Sequence, residues 1–198
     1  MPKLIAIAGV PRSGTTWLYN AVRLIHDRAG RSIYGAWCAD YDPNTSASRH
    51  LIKVHKPEQL HAHPEITFAT NRDVAESLAS LVRMGWLADE EVAIKNAATN
   101  HQRLRLYWEE RADYIAQYEE VTKQPLTVIE GLCSRLEILL EKSMSEAIAH
   151  ELAMMQSPKS GNYDPVTLLH PGHRSDAKMN ERQVDRVREI LRKTKTDD

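Results

Sequence analysis

The stretch "LIAIAGVPRSGTTWL", Leu4 to Leu18, constrains the fold more than any other part of the chain. Leu4 to Val10 is an unbroken run of aliphatic and small residues without a charge, the pattern of a strand buried on both faces of a parallel sheet. Pro11 cuts the run short, and Gly9 and Gly14 bracket a tight loop. From Thr15 to about Asp27, residues Trp17, Ala21, Leu24 and Ile25 recur at helical spacing, and Gly30 comes after them as a stop signal. In that succession the backbone N–H groups of the loop and the positive end of the helix converge on one point, so an anion can be held there.

The rest of the chain repeats the alternation. Further strands are expected at His50–His55, Ile66–Asn71 and Tyr114–Tyr118, with helices at Asp73–Met84 and at about Asp89–Arg111. Pro125 sits near the start of another helix in which Leu126, Ile129, Leu132 and Leu136 fall in step, and Glu141–Met155 and Asn180–Arg192 read as two more. Residues 31–49 show no sustained period and are expected to be irregular, and residues 157–176 are turn-rich. The expectation is an α/β protein of three αβα layers around a central parallel sheet, one domain over residues 1–198, with its ligand beyond the carboxyl ends of the strands.

Gly9-Val10-Pro11-Arg12-Ser13-Gly14-Thr15-Thr16 keeps both glycines of the nucleotide-triphosphate loop but has Thr15 where that loop carries its lysine. This argues against an ordinary ATPase or GTPase, although the wider class of fold, that of the P-loop-containing nucleotide hydrolases, still fits. Arg12 moves the cation into the loop, Thr15 and Thr16 add hydroxyl donors, and Trp17 adds a flat apolar face. The string "PRSGTTW" resembles the 5′-phosphosulfate loop of the sulfotransferases that use 3′-phosphoadenosine 5′-phosphosulfate (PAPS). That resemblance implies a nucleotide held by Arg12, Ser13, Gly14, Thr15, Thr16 and Trp17, with adenosine 3′,5′-bisphosphate (PAP) as the product.

Three further segments extend the likeness. In the family a strand ends in Arg, and a Ser eight residues later on the next helix helps bind the 3′-phosphate; "ITFATNRDVAESLAS" offers Arg72 and Ser80 in that spacing. Ser77 lies one turn earlier on the same face, and a second register would choose it instead while leaving Ala69 at the arginine position. "LIKVHKP", Leu51 to Pro57, resembles the segment whose histidine is the family's catalytic base, which implies that role for His55 with Lys53 beside it. In a strand these two side chains share one side, and imidazole titrates near neutrality. The segment from Gln117, "QYEEVTKQPLTVIEGL", is similar to a family strand and helix in which Tyr118 would contact the adenine. The family's late glycine-rich loop is missing, and "HPGHRSDAK" lies in a comparable place, where His173, Arg174 or Lys178 are candidate substitutes.

Together these likenesses imply a sulfuryl transfer in which His55, Lys53 and Arg12 are catalytic and no metal is required. The acceptor would be a hydroxyl or amine of a small molecule or glycan, with Tyr34, Trp37 and Tyr41 as candidate pocket walls and Met84 to Trp86, Tyr107 and Trp108 as further candidates. The alternatives are a small-molecule kinase and a nucleotide-binding relative without turnover. Net charge is −1, from 26 basic and 27 acidic side chains, so neither nucleic acid nor a membrane surface is an expected partner. Cys38 and Cys133 form no metal or redox spacing, and Leu4–Val10 is too short to span a bilayer, so a cytoplasmic location is expected.

Overall fold

A computed structural model describes residues 3–171 and 181–193. Its five strands are β1 (Lys3–Gly9), β2 (Ile33–Trp37), β3 (Arg49–Lys53), β4 (Ile66–Asn71) and β5 (Tyr114–Gln117). Seven helices accompany them: α1 (Thr15–Arg28), α2 (Val74–Arg83), α3 (Glu91–Glu109), α4 (Tyr118–Lys123), α5 (Pro125–Leu136), α6 (Lys142–Met154) and α7 (Glu181–Lys193). The strands pair in the order β2-β3-β1-β4-β5, all parallel.

β1 is central because both its faces are apolar. Ile5 and Ile7 join Leu18, Ile25, Val128 and Ile148 in a core shared with α1, α5 and α6. Leu4, Ala6 and Ala8 face the other way, where Ile52, Val54, Ala69 and Trp108 of α3 cover them. Burial on both sides explains why the strand shows no polar alternation. A third cluster holds α2, α3 and α7 together through Leu78, Ile94 and Val187. The chain visits β2 and β3 on one side of β1 and then β4 and β5 on the other. The carboxyl ends of β1, β3 and β4 therefore surround a topological switch point, the place where α/β sheets bind ligands. Among the described residues no helix is long and apolar enough to cross a membrane.

Two expectations need correction. Residues 31–49 are not wholly irregular, because β2 occupies Ile33–Trp37 and pairs in register with β3 from Ile33 opposite Arg49 to Trp37 opposite Lys53. β2 is a short edge strand, half-buried along most of its length, so it carries neither a continuous apolar run nor a clean alternation. Gly35 interrupts it because the Tyr19 hydroxyl lies where a Cβ would stand. The strand at Tyr114 stops at Gln117, and Tyr118 opens the six-residue helix α4. A helix that short gives too few repeats for its period to show.

Candidate active site

The loop between β1 and α1 is held in a shape that only its own residues allow. Gly9 has φ 139° and Gly14 has φ 105°, values that side chains rarely adopt, and Arg12 takes the left-handed φ of 69°. A Cβ on Gly9 would lie 2.8 Å from Thr70 Oγ1 and 2.9 Å from the Thr70 carbonyl oxygen, and one on Gly14 would lie 3.3 Å from Tyr118 Cδ2. Ser13 is fully buried and turned inward. Its hydroxyl donates to the Val10 carbonyl at 2.7 Å and accepts from the Thr70 hydroxyl at 2.6 Å, which fastens the loop to β4. Ser13 therefore shapes the loop without reaching the cleft. Gly14 is the N-cap of α1 and has no side chain to occupy the first-turn N–H groups, so these remain open to an anion.

Above this loop opens a cleft of about 740 Å³, lined among others by Arg12, Gly14, Thr15, Thr16, Trp17 and Asn20. Lys53 and His55 enter it from the end of β3. The strand proper stops at Lys53, yet both side chains reach the same cleft while Val54 is buried under α3, as alternation along an extended chain demands.

Lys53 Nζ donates to Thr16 Oγ1 at 2.7 Å and lies 5.5 Å from the centre of the Trp37 ring. Burial, and after it the charge of Arg12, lowers its pKa from 10.5 to about 7. His55 Nδ1 lies 2.7 Å from the Gly9 carbonyl oxygen. A carbonyl only accepts, so Nδ1 carries the hydrogen and Nε2 keeps its lone pair. Burial and the neighbouring Lys53 charge push this imidazole down to about 3, which makes it a neutral group at working pH. Trp108 fixes the residue from below, its indole Nε1 donating to the His55 carbonyl at 3.2 Å, and the Trp37 ring lies 5.2 Å from the imidazole, centre to centre.

A second cationic group faces the first. Arg12 Nε donates to Ser80 Oγ at 2.9 Å, and burial followed by the charges of Arg83 and Arg72 lowers its pKa to about 10. Arg72, just past β4, donates from Nη1 to the Arg12 carbonyl at 3.1 Å and from Nε to Glu76 at 3.1 Å. Its guanidinium lies 3.8 Å from the centre of the Tyr118 ring. The Ser77 hydroxyl is buried and has no hydrogen-bond partner among the described residues.

Most of the residues expected at the site thus come together: Arg12, Gly14, Thr15, Thr16, Trp17, Lys53, His55, Arg72 and Tyr118 line one cleft. Ser80 touches it through Arg12. Arg174, His173 and Lys178 lie outside the described residues. Of the aromatic candidates Trp37 and Trp86 line the cleft, while Tyr34 and Tyr41 stack on each other at 6.1 Å and bracket His50. Asn20, Tyr163 and His170 also line the cleft, and no motif in the sequence points to them. Trp86 comes after Gly85, whose φ is 69°, and is exposed at the mouth of the cleft. Tyr163 and His170 come from a turn that carries no periodicity.

The same fold occurs in a sulfotransferase and a retinol dehydratase of known structure. The mouse sulfotransferase SULT7A1, crystallised with PAP, superposes with a TM-score of 0.64 at 16% identity, covering 97% of this chain and 83% of its own. A retinol dehydratase in complex with androsterone and the inactive cofactor PAP gives 0.63 at 14% identity, with 96% and 80% covered. No protein-family model and no curated protein sequence matches the chain.

Proposed function

We propose that the protein is a sulfotransferase that moves a sulfuryl group from PAPS to a hydroxyl, or an amine, of a small-molecule or glycan acceptor. One observation carries this reading: a neutral imidazole with Nε2 free stands beside Lys53 and Arg12 in a cleft floored by a glycine-bracketed loop. The likeness of fold to a sulfotransferase and a retinol dehydratase, both crystallised with PAP, supports it.

The residues fit the nucleotide. The open N–H groups at the start of α1 and the backbone around Gly14, where a Cβ would crowd Tyr118, suit a phosphate. Trp17 and Tyr118 offer ring faces for a base, while Arg72 with Ser80 or Ser77 would hold the 3′-phosphate. When bound, PAPS supplies a sulfuryl group already activated for in-line transfer, so positioning and charge stabilisation are the protein's main tasks. His55 Nε2 takes the proton of the acceptor hydroxyl. Arg12, Lys53 and the Thr15 and Thr16 hydroxyls stabilise charge gathering on the leaving phosphate oxygen, at about 2.7–4 kcal/mol for a well-aimed donor. Burial is the main cause of the lowered His55 pKa, and an anion in the loop would offset the smaller part that comes from the Lys53 and Arg12 charges.

Transfer of radiolabelled sulfate from PAPS to a panel of hydroxyl and amine acceptors, insensitive to EDTA, is the expected result. A larger thermal shift with ATP and magnesium than with PAP would favour the kinase reading. Tight PAP binding without labelled product on any acceptor would leave a non-catalytic relative.

A further inference from the structure

Arg72 alone offers the 3′-phosphate little uncompensated charge, because it already serves Glu76 and the Arg12 carbonyl. The position that completes the balance lies on α2. Ser77, Ser80 and Arg83 succeed one another at three-residue intervals and form a single ridge along the helix. Its middle member already accepts a hydrogen bond from Arg12. Its first member, Ser77, is a buried hydroxyl without a partner among the described residues, an arrangement that calls for a ligand oxygen or a water. Its last member is an exposed arginine that ends α2, and its helical neighbours at i−3 and i−4 are Ser80 and Ala79, so no carboxylate one turn back on its own helix reaches it.

Among the described residues no ion pair engages Arg83, and none engages Arg12. The nearby carboxylates are spent elsewhere: Glu76 on Arg72 at 3.1 Å, and Asp73, with Glu76 again, on Arg188 of α7 at 3.7 and 4.0 Å. Arg83 lies near enough to Arg12 for its charge to weaken the latter's hold on a proton. Three guanidiniums near one ridge, two of them without a carboxylate among the described residues, make a local field that favours an anion.

We propose that Arg83 is the outer cation of the second phosphate subsite, closing with Ser77 and Ser80 on the 3′-phosphate of the nucleotide. The assignment rests on the reading of the cleft as a PAPS site. It gives that subsite a cation from α2 itself, independent of residues 172–180.

Isothermal titration of the full chain with adenosine 3′,5′-bisphosphate and with adenosine 5′-phosphate tests it. These ligands differ only in the 3′-phosphate. Wild type is expected to prefer the bisphosphate. Arg83→Gln should weaken the bisphosphate about tenfold or more, as loss of a charge-assisted contact does, and leave the monophosphate unchanged. Arg83→Lys should recover part of the loss, and Ser77→Ala should weaken the bisphosphate alone. Arg83→Gln that weakens both ligands equally, or neither, overturns the role of Arg83 while the loop assignment stands. Wild type that binds neither nucleotide overturns the PAPS reading and the Arg83 assignment together.

Discussion

The wall of the cleft built by the ends of β1, β3 and β4 and the wall built by residues 163–170 hold their side chains by different means. On the first, each group is tied to the sheet or to the helix next to it: His55 to the Gly9 carbonyl, Lys53 to Thr16, Ser13 to Thr70. On the second, the chain folds mostly on itself. The Asp164 carboxylate accepts from the Val166 and Thr167 N–H groups and from the Thr167 hydroxyl. Asn20 Nδ2 ties that turn to α1 through the Thr167 carbonyl at 2.7 Å, and the His170 ring meets Trp86 edge-on at 5.3 Å. The first wall is built into the sheet, and the opposite wall is a turn capped largely by its own Asp164, joined to the rest of the fold through Asn20, the Tyr163–Asp40 hydrogen bond and the buried Leu168.

Changes on the sheet side should therefore be severe and changes on the turn side mild. The largest effect is expected from His55→Ala, which should cut turnover by about 10²–10⁴-fold while PAP affinity, read by calorimetry, stays nearly intact. Retained turnover would place the base elsewhere and remove the contrast. Next comes Gly9→Ala, expected to cost about 2–4 kcal/mol of stability in chemical denaturation, because the added carbon meets the Thr70 carbonyl at 2.9 Å and φ is 139°.

The charge state of Lys53 offers a sharper test. Its folded pKa, lowered to about 7, leaves it mostly neutral at pH 8, whereas an unfolded lysine is charged until about 10.5. Stability from this group therefore rises as pH increases from about 7 to 10.5. A bound phosphate restores the charge, so PAP binding at pH 8 should take up close to one proton and weaken as pH rises further. Calorimetry in buffers of different ionisation enthalpy measures the uptake, and Lys53→Met should abolish it.

On the turn side, Asn20→Ala should cost about 1 kcal/mol, a fall in Tm of about 2–4 °C by scanning calorimetry, and alter KM for the acceptor more than kcat. His170→Ala should be the mildest, at about 0.5 kcal/mol or less in denaturant unfolding. A larger penalty there than at Gly9 would invert the comparison.

The same contrast explains what can be read in the sequence. β1, the loop and α1 are legible because a strand buried on both faces writes itself as an unbroken apolar run, and because the glycines stand where φ is positive. Lys53 and His55 are legible as a pair because alternation puts them on one side, and as site residues because the segment "LIKVHKP" resembles a family motif. Ser13 is the instructive exception: its position in the motif suggests a ligand contact, whereas its side chain bonds inward to Val10 and Thr70, a tertiary contact with a residue 57 positions away. The stacking of Arg72 on Tyr118 and the edge strand β2 likewise depend on partners distant in the chain, which no local period can record.

All four tryptophans of the chain converge on this one region: Trp17, Trp37 and Trp86 line the cleft, and Trp108 grips the carbonyl of His55. The protein thus carries its own optical reporter. Intrinsic emission comes almost wholly from groups that a nucleotide or acceptor would touch or jostle, so occupancy can be followed by fluorescence without attaching a dye, and single Trp→Phe exchanges would reveal which compartment fills first.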